Sequence, residues 1–132
     1  MNTDQMIFVF GSNEAGIHGA GAAKFAHLKR GAKMYIGEGP TGKCYALPTK
    51  GKKIEEISLG RICAAVERFM VYARQNPEQR FMVTCVGCGL GDHNNEDIAP
   101  MFKDAPENCY FDTQWAEIFE SMDVSKNYWG TF

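Results

Sequence analysis

Apolar and polar positions fall into short blocks whose period changes several times along the chain. Ile7, Phe8, Val9 and Phe10 form an unbroken apolar run and predict a buried strand over 6–10. A loop over 11–19 follows, rich in glycine and carrying Ser12, Asn13 and His18. Ala22, Ala23, Phe25, Ala26 and Leu28 then give an apolar side to a helix over 20–30, which Gly31 ends. Residues 33–36 form a short strand candidate, and 37–42, Gly-Glu-Gly-Pro-Thr-Gly, read as a turn. Residues 44–47 read as a strand closed by Pro48.

The clearest helix covers 57–73. Leu59, Ile62, Cys63, Val66, Phe69, Met70 and Ala73 recur there at three- and four-residue steps, and Asn76-Pro77 ends it. Residues 81–86 are short and strongly apolar, which predicts a central strand buried on both faces. That strand breaks into Gly87-Cys88-Gly89-Leu90-Gly91-Asp92. Residues 94–97 look like an acidic helix start. Pro100 is at home only in a first turn, which moves that start toward Asp97. A strand over 108–111 and a helix over 113–122 follow, with Trp115, Ile118, Phe119 and Met122 on one helix face. Tyr128, Trp129 and Phe132 suggest that the tail over 123–132 docks on the rest.

Strands alternating with helices imply one α/β domain over 1–132, a three-layer α/β/α arrangement around a mixed, largely parallel sheet. Ligands of such sheets bind at the carboxyl ends of strands. The strands at 6–10 and 81–86 both end in glycine-rich loops, so a parallel pair would put both loops at one edge. The first loop also leads into a helix N-terminus, where backbone N–H groups can face an anion. The expectation is a phosphate-bearing ligand.

Composition narrows the partners. A chain of 132 residues with net charge −2 is ordinary for a globular domain. Its basic residues are scattered, apart from Lys50, Lys52 and Lys53, which read as a solvated turn, so nucleic acid is not an expected partner. No apolar run approaches the roughly 18 residues of a membrane span, and the polar start lacks the basic region of a signal peptide. The five cysteines are an odd count, and Cys44, Cys63, Cys85 and Cys109 lie within apolar patterns. They read as buried free thiols of a reducing, cytoplasmic compartment.

Several motifs fail on context. Residues 37–44 nearly match G-x-x-x-x-G-K-[ST], but Cys44 stands at the hydroxyl position and a strand follows where a helix is needed. Gly19-Ala20-Gly21 begins like G-x-G-x-x-G, yet Lys24 occupies the third glycine position. Cys85 and Cys88 have the spacing of a redox or zinc pair. Cys85, however, lies in a predicted strand and no second pair exists, so structural thiols are the better reading, with Cys88 in the loop the more exposed. The sequence calls for no metal or cofactor. Asn13 is either a turn-former or an amide that bonds a ligand hydroxyl. His18 is either a general acid or base or a loop histidine with no role. Asp92 and Asp97 can cap the third helix.

The segment Phe10-Gly-Ser-Asn13-Glu-Ala-Gly-Ile-His18-Gly19-Ala-Gly21-Ala-Ala resembles the first signature of macrodomains, a strand leading through asparagine into a glycine run and an alanine-rich helix. Residues 83–91, Val-Thr-Cys-Val-Gly-Cys-Gly-Leu-Gly, resemble the second. The order of elements agrees over about 6–111. The resemblance is closest to a compact macro-like group found in bacterial and phage proteins. Macrodomains bind ADP-ribose and related nucleotides, and some hydrolyse ADP-ribose derivatives. By resemblance, Gly11, Ser12 and Asn13 would lie at the ligand, with Asn13 at the distal ribose. Gly19, Ala20, Gly21 and Ala22 would pass close to that ribose and the diphosphate. Gly87, Cys88, Gly89, Leu90, Gly91 and Asp92 would wrap the diphosphate from the other side. Any hydrolysis would occur at the distal ribose with water positioned by Asn13 or the diphosphate, and His18 would serve as acid or base. A domain of this kind without turnover would be a reader or sequestering protein for a nucleotide signal.

Overall fold

The computed structural model describes residues 2–132. Its six strands are β1 (Ile7–Asn13), β2 (Gly39–Thr41), β3 (Cys44–Lys50), β4 (Phe81–Val83), β5 (Cys109–Asp112) and β6 (Asn127–Gly130). The α-helices are α1 (Gly21–Lys29), α2 (Leu59–Gln75), α3 (Asn95–Ile98) and α4 (Ala116–Ser121). The strands form one sheet in the order β2-β3-β1-β4-β5-β6. Only the β2–β3 pair is antiparallel. The sheet is therefore mixed and mostly parallel, as the alternation of elements predicts.

Side-chain alternation splits the core into two layers. Phe8 and Phe10 of β1, Cys44 and Ala46 of β3, and Met82 of β4 pack with Ala23 and Ala26 of α1. The intervening Val9, Tyr45, Leu47, Phe81 and Val83 pack on the other face with α2, α3 and α4. Both faces of the central strands are thus covered, which explains their continuous apolar runs. α2 starts where the Ser58 hydroxyl accepts from the Arg61 N–H at 3.2 Å. It buries Ile62, Ala65, Val66, Phe69, Met70 and Ala73. Leu59, expected on that face, is 40% exposed.

The local differences have identifiable causes. β1 extends beyond its apolar run through Gly11, Ser12 and Asn13 because β3 continues beside it, pairing Gly11 with Leu47 and Ser12 with Pro48. Pro48 consequently lies inside β3 and does not end it. β2 pairs only with residues 44–46, so on its outer side Pro48 removes no ladder donor. No strand forms at 33–36, because Tyr35 has φ +71, outside the extended region. The strand next to β3 is Gly39–Thr41, within the predicted turn, and the chain reverses at Gly42 (φ +59). β4 ends at Val83: Thr84 turns both its N–H and its hydroxyl onto the Val9 carbonyl. α3 begins at Asn95 rather than near Asp97, and Pro100 sits at the start of a 3-10 turn over Ala99–Phe102. The predicted helix over 113–122 is a 3-10 turn, Thr113–Trp115, followed by α4. The tail docks as β6, parallel to β5, with the Trp129 indole donating to the Val83 carbonyl at 3.0 Å. Among the described residues no helix is long and apolar enough to cross a membrane.

Candidate functional site

The carboxyl ends of β3, β1, β4 and β5 open into a cleft of about 460 Å³. Gly11–Asn13, Gly19–Ala22 and Gly87–Gly91 all face it, so both glycine loops lie at one edge of the sheet. They touch: a Cβ on Gly11 would stand 3.1 Å from the Gly87 nitrogen, and one on Gly21 3.0 Å from Leu90 Cδ1. Two predicted site residues, His18 and Asp92, do not line the cleft.

The first loop is a closed ring. Asn13 Nδ2 donates to the Ile17 carbonyl at 2.8 Å, and the Ile17 N–H donates back to Asn13 Oδ1 at 3.0 Å. The Gly16 N–H donates to the Asn13 carbonyl, and the Tyr35 N–H donates to the Gly16 carbonyl. Asn13 thus braces its own loop, the turn-forming role of this residue type, while still lining the cleft. The ring brings the chain to the N-terminus of α1. Ala20 there caps with no side-chain hydrogen bond and the first turn holds no acidic residue, so its leading N–H groups are free for an anion.

His18 turns the other way. It is 1% exposed, meets the Phe10 ring edge-on at 5.2 Å, and its Nε2 lies 3.0 Å from the Lys33 carbonyl. Its place inside the α1-side layer corrects the acid–base role expected for it. Burial holds its pKa below the usual 6.5; the Lys33 carbonyl opposes this and the charge of His27 adds to it. A lowered folded pKa means that the unfolded chain takes up the proton first as pH falls. Stability should therefore be flat above about pH 6.5 and decline below it. Urea melts from pH 8 to pH 5 should show this decline, and His18→Gln should remove part of it. An unchanged slope in the variant would sink the assignment.

The second loop leaves β4 at Thr84 and turns back by Cys88 N–H to the Cys85 carbonyl and His93 N–H to the Gly87 carbonyl. Gly87 has φ +76, and a Cβ on Gly91 would stand 2.4 Å from the Gly87 oxygen, so backbone geometry demands both glycines. Gly19 and Gly89 differ. Neither has a positive φ, and a Cβ on either would meet nothing within 4 Å. Asp92 is exposed, and α3 is capped by Asn94 without a side-chain hydrogen bond, so neither Asp92 nor Asp97 caps that helix.

Cys85 and Cys88 both line the cleft as free thiols. Burial, then the Asp112 charge, pushes Cys85 up to about 12; burial, then Glu96 and Asp97, pushes Cys88 to about 11. Both are protonated at neutral pH and poor nucleophiles. Cys63 and Cys85 are only half-buried, less enclosed than their apolar surroundings predict. Among the described residues no cluster of three or more His, Cys, Asp or Glu could hold a metal ion.

The cleft also takes residues that the sequence reading passed over. Lys50, read as part of a solvated turn, lies at the carboxyl end of β3. Asp112 ends β5, is 1% exposed, and accepts the Gln114 N–H and the Phe132 N–H at 2.9 Å each. Its signal was an acidic residue directly after a predicted strand. Phe132, marked in the sequence only as part of a docking tail, also lines the cleft.

No family model and no curated protein matches the chain. Among solved structures it is similar to a protein of unknown function from Bacteroides thetaiotaomicron. The TM-score is 0.54 at 12% identity, over 95% of this chain and 88% of that one. A likeness at that identity shows the fold alone. Nothing about a ligand is carried over from it.

Proposed function

We propose that this chain is a macrodomain-like nucleotide-binding domain that takes ADP-ribose or a related nucleotide between its two glycine loops. The observation that carries the reading is the pair Gly19 and Gly89. Neither the backbone nor any protein neighbour requires glycine at these places, while both face the cleft. A bound group passing against the main chain supplies the missing reason. The uncapped N-terminus of α1 and the free N–H groups of Gly89, Leu90 and Gly91 suit a diphosphate between the loops. Lys50 adds a cation at one end.

The lining favours binding over turnover. His18 is buried elsewhere, the two thiols are protonated, and Asp112 already accepts from Gln114 and Phe132. A reader or sequestering role for a nucleotide signal follows more directly from these groups than hydrolysis at a ribose. Calorimetry with ADP-ribose, beside a thermal melt, tests the reading. Saturable heat is expected, and ligand at 100 times its Kd should add about 2.7 kcal/mol to stability. No heat and no shift with ADP-ribose, ADP or NAD would overturn it. Release of ADP-ribose from an ADP-ribosylated protein or from ADP-ribose 1″-phosphate would favour the hydrolase instead.

A further inference from the structure

We propose that residues 131–132, latched by Asp112, form the aromatic wall of the cleft, and that the Phe132 ring takes the planar base of the nucleotide. This deepens the reading of the cleft as a nucleotide site and rests on it. The Phe132 N–H donates to Asp112 Oδ2 at 2.9 Å, and Gln114 Nε2 donates both to Asp112 Oδ2 and to the Thr131 hydroxyl. These bonds hold the segment beyond β6 against the carboxyl end of β5. The Phe132 ring packs edgewise on Phe8 and Phe25, with centroids 5.6 Å and 5.3 Å away. It nevertheless keeps 54% of its surface exposed and lines the cleft. A large apolar side chain braced by two rings and open on the cleft side is a stacking platform, since every base has a π-face.

Its position in the sheet fits this use. The glycine loops that would hold the diphosphate follow β1 and β4, while Asp112 ends β5, two strand spacings or about 10 Å from β1. That interval leaves room for a ribose between diphosphate and base. Asp112 is a positioning residue: its carboxylate accepts the hydrogen bonds that fix the segment carrying the ring.

Calorimetry with ADP and with inorganic pyrophosphate, on the wild type and on Phe132→Ala, Phe132→Leu, Phe132→Trp and Asp112→Asn, tests this. Phe132→Ala and Phe132→Leu should each weaken ADP roughly tenfold, leave pyrophosphate unchanged, and melt near the wild type. Phe132→Trp should retain ADP binding. Asp112→Asn should weaken ADP to a similar extent, and adding Phe132→Ala to it should cost little more, because one interaction is lost twice. Equal loss of ADP and pyrophosphate, or full ADP binding by Phe132→Leu, would overturn the stacking role; additive losses would overturn the latch. If pyrophosphate is too weak to measure on the wild type, the Leu and Trp variants decide. A wild type that binds neither ADP nor ADP-ribose would instead remove the nucleotide reading itself.

Discussion

Gly19→Ala and Gly89→Ala should each weaken ADP-ribose binding at least tenfold while leaving the melting temperature of the free protein unchanged or slightly raised. An added methyl at either place has nothing within 4 Å to meet and no positive φ to oppose it. In the free protein the change resembles a surface substitution, within about 0.5 kcal/mol, and a stiffer unfolded chain can add up to about 1 kcal/mol in favour of folding. In the complex the same methyl would stand where a ligand passes against the backbone. It would push the ligand off N–H donors that only close approach can reach, and a tenfold loss corresponds to about 1.4 kcal/mol. Most glycine substitutions lower stability and function together, so this separation is diagnostic. Normal affinity in both variants would remove the argument that carries the proposed function.

Gly16→Ala should do the opposite, lowering stability by about 3 kcal/mol, read as a shift in urea midpoint. The estimate joins roughly 1–2 kcal/mol for an alanine held in left-handed geometry to roughly 1–3 kcal/mol for overpacking. Gly16 has φ +71, and its Cβ would stand 2.4 Å from the Tyr35 carbonyl carbon and 2.5 Å from the Ile36 nitrogen. These neighbours are backbone and cannot swing aside. Tyr35 itself sits at φ +71, and its N–H holds the Gly16 carbonyl at 2.7 Å. The alanine would therefore part the 33–37 segment from the ring that Asn13 and Ile17 close. Ligand affinity should fall as well, because that ring aims the chain at the N-terminus of α1. A midpoint near the wild type would mean that the two segments separate at little cost.

Much of the site was readable because its signals are local. An apolar run that opens into glycines at 11–21, and another at 87–91, can be recognised from neighbouring residues, and the carboxyl-edge rule for parallel sheets joins them. Asn13 was readable as a polar residue after a strand, although its amide serves its own loop through Ile17. His18 misled because its direction depends on the 33–36 segment, whose path follows from the left-handed Tyr35 and from the Lys33 carbonyl. β2 was missed because Gly-Pro-Thr has no strand signal of its own; β3 makes it a strand by pairing with it.

By itself the sequence determined the alternation of strands and helices, the two-faced burial of the central strands, and the glycine loops that follow them. These depend on side-chain period and on the conformational freedom of single residues. Only the tertiary structure decided which way each loop residue faces, that Asp112 joins the cleft, and that the last strand brings Phe132 to its edge. Those outcomes rest on hydrogen bonds and packing between residues far apart in the chain.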